Sequence, residues 1–334
     1  LRDLRRYLQS NLLHRRCMFD FFLEVMMDIS NLIFSLPGAL AQGLIWGIMA
    51  IGVYITFRIL DIADLSVDGT MCTGGAVCIM LMQNGWNVWA AMGAALIAGL
   101  LVGLMTGIFH TVMGIPAILA GILTQLGLWS INLGIMGKSN QAINVDKYDL
   151  LVSLRFIRGV PVWKNTILVV AVITVAVIAV LYAFFGTELG CSLRATGCNP
   201  NMARAQGINT DYNKVLGLMI SNGLVALSSA LLSQYQGYAD ASMGKGAIVI
   251  GLAAVIIGEA IFGKIFKNFA LKLLGVAFGS VIYYFVIQTV LWFGIDANWL
   301  KLLSALVVAV FLAVPYWQSR YLAKPKNIAV KEAE

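Results

Sequence analysis

Three carboxylates stand close together at the break between two apolar segments, in Asp61-Ile-Ala-Asp64-Leu-Ser-Val-Asp68-Gly69-Thr70. Acids placed there can do two kinds of work. As chemistry, Asp64 and Asp68 could bind a cation or take up a proton, as in secondary transporters built on interrupted helices. As architecture, they lie at a turn where water and helix N-termini stabilise carboxylates, and Ser66 or Asp68 could cap the helix that follows. The architectural reading is favoured, because a proton-driven device is expected to bury further ionisable groups and the nearby segments offer few. Glu259 is the other acid inside an apolar segment, and the nearby Lys264 points to an ion pair at a membrane boundary.

The remaining reactive side chains form no catalytic set. The two histidines, His14 and His110, stand alone, and no HExxH or GxSxG pattern occurs. The five cysteines, Cys17, Cys72, Cys78, Cys191 and Cys198, are odd in number and scattered without metal-ligand spacing, so free thiols are expected. Asn132-Leu-Gly-Ile-Met-Gly137-Lys138-Ser139 imitates the end of a phosphate-binding loop, but asparagine replaces its first glycine and the stretch leaves an apolar segment. The chain is therefore expected to be non-catalytic, with no metal and no cofactor of its own. Any ATP-driven role would depend on a separate subunit.

The elements that must position these residues are long and apolar. Apolar residues make up 60% of the chain and charged residues 12%. A helix needs about 20 mostly apolar residues to cross about 30 Å of hydrocarbon. Such segments fall at 38–57, 65–83, 87–110, 115–136, 165–186, 213–237, 245–263, 270–292 and 298–316. The expected fold is all-α, a polytopic transmembrane bundle of about nine spans. A membrane barrel would show short alternating strands instead. The net charge of +7 resides between and beside apolar helices, so it points to membrane topology and not to nucleic acid.

Residues 191–210, CSLRATGCNPNMARAQGINT, interrupt this pattern with a polar island. Asn199 is a good N-cap, Pro200 suits the first helical turn, and Gly207 can close the helix in the left-handed conformation. The resulting helix near 200–207 has two turns and cannot span a bilayer. Arg194 and Arg204 would hold it at a water-facing surface, where something outside the membrane can grip it.

Placing this island in the cytoplasm puts Arg58, Arg194, Arg204, Lys214, Lys264, Lys267, Lys272 and the basic 319–334 tail inside. That agrees with the excess of lysine and arginine expected in cytoplasmic segments and makes the C-terminus cytoplasmic. The N-terminal segment, 1–36, begins LRDLRRYLQSNLLHRR and also reads as an inner sequence, which nine spans would put outside. A tenth span near 17–36 would resolve this, but Asp20, Glu24 and Asp28 share one helical face, so an amphipathic helix at the interface is an equal solution. The transmembrane core is then 37–318.

Within the core, Gly99, Gly103 and Gly107, Gly43 with Gly47, and Gly275 with Gly279 repeat at four-residue spacing and permit close helix approach. Such faces could pack within the chain or between two copies of it. Thr124, Gln125, Ser130, Asn132, Asn222 and Gln234 are neutral polar residues in predicted spans. They could line a pathway or bond neighbouring helices.

Three motifs together resemble a known group. Leu193 to Asn209, LRATGCNPNMARAQGIN, resembles the cytoplasmic coupling segment of permeases in the branched-chain amino-acid and ribose superfamily of ABC importers. Asp64 to Thr70, DLSVDGT, is similar to the acidic-glycine segment opening an early helix in ribose-type members. Gly244 to Gly263, GKGAIVIGLAAVIIGEAIFG, resembles their late Gly-rich helix, with Gly258-Glu259 where a glycine pair is usual. The subgroup it looks most like is one linked with tryptophan- or tyrosine-like solute-binding proteins.

The resemblance implies a permease subunit in a bacterial cytoplasmic membrane, importing a small solute such as an amino acid, with aromatic ones included. Implied partners are a cytoplasmic ABC ATPase that holds ATP and Mg, an extracytoplasmic solute-binding protein, a second copy of the chain and the lipid bilayer. Arg194, Gly197, Asn199, Pro200, Met202, Ala203, Arg204, Gly207 and Ile208 would form the ATPase-coupling element. Met202 and Ile208 would be its apolar knobs, and Arg194 and Arg204 its rim charges. The alternative is an ion-coupled secondary transporter or channel acting without an ATPase.

Overall fold

Asparagine, proline and glycine punctuate the apolar stretches, and the helices of the computed structural model begin and end on them. The structure describes residues 35–144, 147, 148, 150–157, 164–263 and 265–292, with scattered positions between 299 and 313. The expected N-terminal helix, most of the span at 298–316, Lys264, Cys17 and the basic tail lie outside the described residues. The helices are α1 (Ser35–Ile59), α2 (Val67–Gln83), α3 (Val88–Thr111), α4 (Ala117–Met136), α5 (Thr166–Gly186), α6 (Glu188–Cys198), α7 (Pro200–Ala205), α8 (Thr210–Gln236), α9 (Ala247–Phe262) and α10 (Phe269–Trp292). The side chains of Asn87, Asn165 and Asn209 accept backbone N–H groups at the starts of α3, α5 and α8. Gly137 and Gly237 close α4 and α8 in the left-handed conformation.

Six of these helices, α1, α3, α4, α5, α8 and α10, are long and apolar enough to cross a bilayer. Of the nine expected spans, six thus meet the length and composition of a span among the described residues, α2 and α9 are shorter, and most of 298–316 lies outside those residues. At 1.5 Å per residue, α2 with 17 residues and α9 with 16 reach only about 25 Å. Both are short for one reason: each begins beside the interior of the bundle. The carboxylate of Asp68, in the first turn of α2, accepts the N–H groups of Gly246 and Ile248 at 3.0 Å, at the start of α9. Asp64 meets Asn222, near the middle of the 27-residue α8. The all-α expectation also omits a small ribbon in which β1 (Asn140–Ala142) pairs antiparallel with β2 (Tyr238–Asp240), Gln141 opposite Ala239.

Helix α8 forms the axis. Gly99, Gly103 and Gly107 of α3 lie against the backbone at Asn222, Leu218 and Val215, and Gly74 of α2 lies against that at Ala226. Gly52 of α1 approaches the carbonyl of Ser221, which in turn donates its hydroxyl to the Gly52 carbonyl at 2.8 Å. Gly43 and Gly47 meet Val281 and Ala277 of α10, and Gly279 meets α9 at Ala254 and Gly258. The glycine stripes considered for contact between two copies thus face neighbours inside one chain: an added side chain would strike neighbouring backbone at each of them except Gly275, which faces the side chains of Phe262 and Phe266. The outward faces of α3, α4 and α5 expose Ile97, Leu101, Leu126, Val172 and Val175. Such faces suit hydrocarbon better than water.

Candidate functional site

The polar island folds as its sequence grammar predicts. Asn199 accepts the N–H groups of Asn201 and Met202 at 3.1 Å, and Pro200 occupies the first helical turn of α7. Gly207 has φ of +79°, Ile208 N–H bonds the Ala203 carbonyl at 3.0 Å and Gly207 N–H bonds that of Arg204 at 2.9 Å. This 6→1 and 5→2 pairing is a Schellman closure, which needs glycine at the left-handed position. Met202 stands 58% exposed on the outer side of the helix, whereas Ala203 on the inner side is 1% exposed.

Side chains fix α7 and α6 to the rest of the bundle. Arg204 donates to the Thr210 hydroxyl at 2.7 Å and to Asp211 at 3.2 Å, at the start of α8. Arg194 donates to the Phe185 carbonyl at the end of α5, at 2.9 Å, where a cation also complements the helix dipole. Both arginines expected at a partner's rim therefore have partners within the chain. Asn213 of α8 donates to Thr196 at 2.9 Å and accepts from Ser192 at 3.3 Å, pinning α6. Gly197 rests directly on the carbonyl of Ile59. That carbonyl ends a π-turn, Ile55–Ile59, which closes α1. Displacement of α7 would thus pass through α6 to α1 and through Arg204 to α8.

The acids form a second site, with a different capping pattern from the one expected. Neither Ser66 nor Asp68 caps α2 with its side chain. Asp64 instead holds the N-cap residue itself, accepting the Ser66 N–H at 2.9 Å and the Ser66 hydroxyl at 2.6 Å, while Asp68 serves α9. Asn222 donates to Asp64 at 2.8 Å and accepts from Thr70 at 2.6 Å. Asp64, Ser66, Thr70 and Asn222 are buried, Asp64 being 2% exposed, whereas Asp68 is half-buried. The cluster's donors and acceptors satisfy one another, as a rigid buried network requires.

The other polar residues do not converge on one place. Thr124 accepts from Thr106 of α3 at 3.0 Å. Gln234 accepts the Leu151 N–H at 3.2 Å and approaches Cys78. Asn132 donates weakly to the Gly69 carbonyl at 3.4 Å, and its amide oxygen has no partner among the described residues. Gln125 is half-buried beneath Gly69, and Ser130 is exposed. Glu259 pairs with Arg58 at 2.9 Å, joining the end of α1 to α9. That pairing crosses 201 residues, and the sequence signal for it was only an acid and a base each near a predicted inner boundary. Cys72 and Cys78 are buried free thiols, and Cys191 and Cys198 exposed ones.

In the ribbon, Asp240 accepts the N–H and hydroxyl of Ser242 and lies beside Asn140 and Lys245. Partial burial would raise its carboxyl, but these hydrogen bonds and the lysine charge outweigh it and hold the group below its ordinary value.

An axial helix wrapped by close-packed apolar helices, with a short surface helix braced on one side, defines a polytopic helical membrane protein. The chain belongs to the family described as branched-chain amino acid transport system, permease component, whose model matches residues 35–314, and is an ABC importer permease. It is 39% identical over 275 residues to a tyrosine transport system permease protein of Clostridioides difficile, covering 82% of this chain and 89% of that one. It is 35% identical over 277 residues to the uncharacterized protein RP368 of Rickettsia prowazekii, covering 82% and 95%. A fructose import permease protein, FruF, of Bifidobacterium longum is 28% identical over 251 residues, 74% of this chain and 68% of its own. No solved structure matches. Permeases of this family are non-catalytic membrane subunits.

Proposed function

We propose that this chain is the membrane subunit of a bacterial importer for an aromatic amino acid, with its C-terminus in the cytoplasm. A solute-binding protein delivers the amino acid outside, and two copies of the chain are gripped inside by ATPases that hold ATP and Mg. The observation that carries the coupling part is α7, a capped and Schellman-closed helix that presents Met202 outward while its inner side is bolted to α6 and α8. A stiff element of this kind can act as a lever, and packed interfaces switch between discrete arrangements instead of deforming continuously. The solute is supported by the likeness to the tyrosine permease. Two copies are supported by symmetry, since paired ATPases need paired surfaces and one chain offers a single α7. The 1–36 segment, the 37–318 core and the 319–334 tail are proposed as the working divisions.

The reading is tested in proteoliposomes holding the chain, its ATPase and its binding protein, by measuring uptake of labelled L-tyrosine. Uptake that needs both partners and ATP is expected. Uptake by the chain alone, driven by an ion gradient, would favour a secondary transporter.

A further inference from the structure

Gln42 of α1 and Gln288 of α10 border the same cleft, and no contact described above uses either side chain. The cleft has two lobes of about 390 Å3 and 320 Å3, and both glutamines line both lobes. Each is half-buried, and neither side-chain amide has a hydrogen-bond partner among the described residues. Amides on apolar helices avoid hydrocarbon and face protein or water. The cleft lies toward the ribbon end of the bundle. Tyr235, near the end of α8 and next to β2, walls the larger lobe and donates to the Gly38 carbonyl at 3.2 Å. The 3-10 turn Leu154–Ile157 of the 137–165 segment closes the same lobe.

The lining has a definite chemical preference. Amide groups offer both donors and acceptors, so two of them can serve a carboxylate and an ammonium together. Among the described lining residues no carboxylate is present, which disfavours a purely cationic solute. Tyr283, Tyr284, Ile287 and Leu291 make the second lobe apolar and aromatic. Trp46, one turn along α1 from Gln42, lies 5.9 Å from the Tyr284 ring, is 6% exposed, and has an indole N–H with no partner among the described residues. Lobes of this size suit one small solute.

We propose that this cleft is the permease's outward-facing solute site and takes a zwitterionic amino acid with an apolar or aromatic side chain. Gln42 and Gln288 hold its charged ends, and Tyr283 and Tyr284 flank its side chain. The assignment deepens the importer reading and rests on it for the direction of transport.

Leu154→Cys, on the wall of the larger lobe and making no proposed solute contact, is expected in the otherwise complete transporter to label from outside with a membrane-impermeant maleimide, and L-tyrosine without ATP should slow the labelling. Adding Gln42→Leu should raise the half-protecting tyrosine concentration roughly five- to tenfold, the effect of one lost hydrogen bond, while Gln42→Asn should stay within about twofold. An unlabelled thiol, or labelling indifferent to L-tyrosine, would overturn the site. Protection by D-fructose in place of L-tyrosine would overturn the solute class. Protection in vesicles whose tyrosine uptake needs no ATP would leave the site standing and remove only the ATP-driven reading, whereas ATP-driven uptake with no protection would remove only the site.

Discussion

Replacing Asn222 by alanine separates a structural role for the buried acid cluster from a role in a solute pathway. The amide donates to Asp64 at 2.8 Å and accepts from Thr70 at 2.6 Å and Ser66 at 3.2 Å. After truncation Thr70 still reaches the Ser66 carbonyl and Ser66 still reaches Asp64, so the hydroxyls lose little. Asp64 is affected most, because a carboxylate only 2% exposed loses one of its three hydrogen-bond donors. A buried polar group left short of a partner costs about 1–3 kcal/mol, with charged groups at the upper end. The void left beside α2 adds about 1 kcal/mol. At about 2.1 cal/mol/K of unfolding entropy per residue, a total near 3 kcal/mol corresponds to a melting decrease of about 4 °C for 334 residues.

The assay is thermal unfolding in nanodiscs, followed with a thiol-reactive dye that reports the buried Cys72 and Cys78 against a background from the exposed Cys191 and Cys198. Asp64→Asn should cost less than half as much, since the shape is kept and the Asn222 amide can turn over to meet it. A melting temperature for Asn222→Ala within about 2 °C of the wild type, together with lost transport, would refute the structural reading and return Asn222 to the pathway.

Further outcomes follow from the same contacts. Gly207→Pro or Ala203→Trp should abolish substrate-stimulated ATP hydrolysis in the assembled complex while membrane insertion persists, because the first breaks the closure of α7 and the second overfills its buried side. Gly103→Val should lower thermal stability by about 2–3 kcal/mol or more, since the added side chain meets the α8 backbone at Leu218; a melt unchanged from wild type would contradict that packing. Cys198 should label from the cytoplasmic side and Leu154→Cys from outside; Leu154 is 60% exposed, whereas the neighbouring Ser153 is buried. Asp240, whose folded carboxyl titrates below its ordinary value of 3.8, should support the β1–β2 ribbon at neutral pH and lose that contribution as pH falls through its lowered value. Hydrogen exchange at Ala241, whose N–H bonds Ser139, should accelerate over that range in the wild type, and much less so in Asp240→Asn.

What was legible in the sequence was what is local. The Asn199, Pro200 and Gly207 signals describe α7 because caps and closures act over a single helical turn. The apolar runs located the helices, but composition does not say where in the bundle a helix begins. Asp68 looked like a cap for its own helix, yet it serves α9, across 178 residues. Asp64 and Asn222 are 158 residues apart, and the sequence showed one as a member of an acidic turn and the other as a lone polar residue in a span, with nothing to join them. The glycine stripes were visible, while their partners were set by the path of α8 through the bundle. Arg194 and Arg204 showed their charge in the sequence, but the Phe185 carbonyl and Asp211 that receive them became neighbours only on folding.

The central claim is that α7 is the point at which a separate ATPase moves this permease. Met202, exposed on the outer side of that helix, can be replaced by cysteine without disturbing the buried Ala203 contact. Crosslinking Met202→Cys in native membranes with a short bifunctional reagent, followed by mass spectrometry of the adduct, should give one major product joining the chain to an ATPase that carries a phosphate-binding loop. Addition of ATP should change its yield. No ATPase adduct, in membranes that still take up L-tyrosine through this chain, would contradict the account.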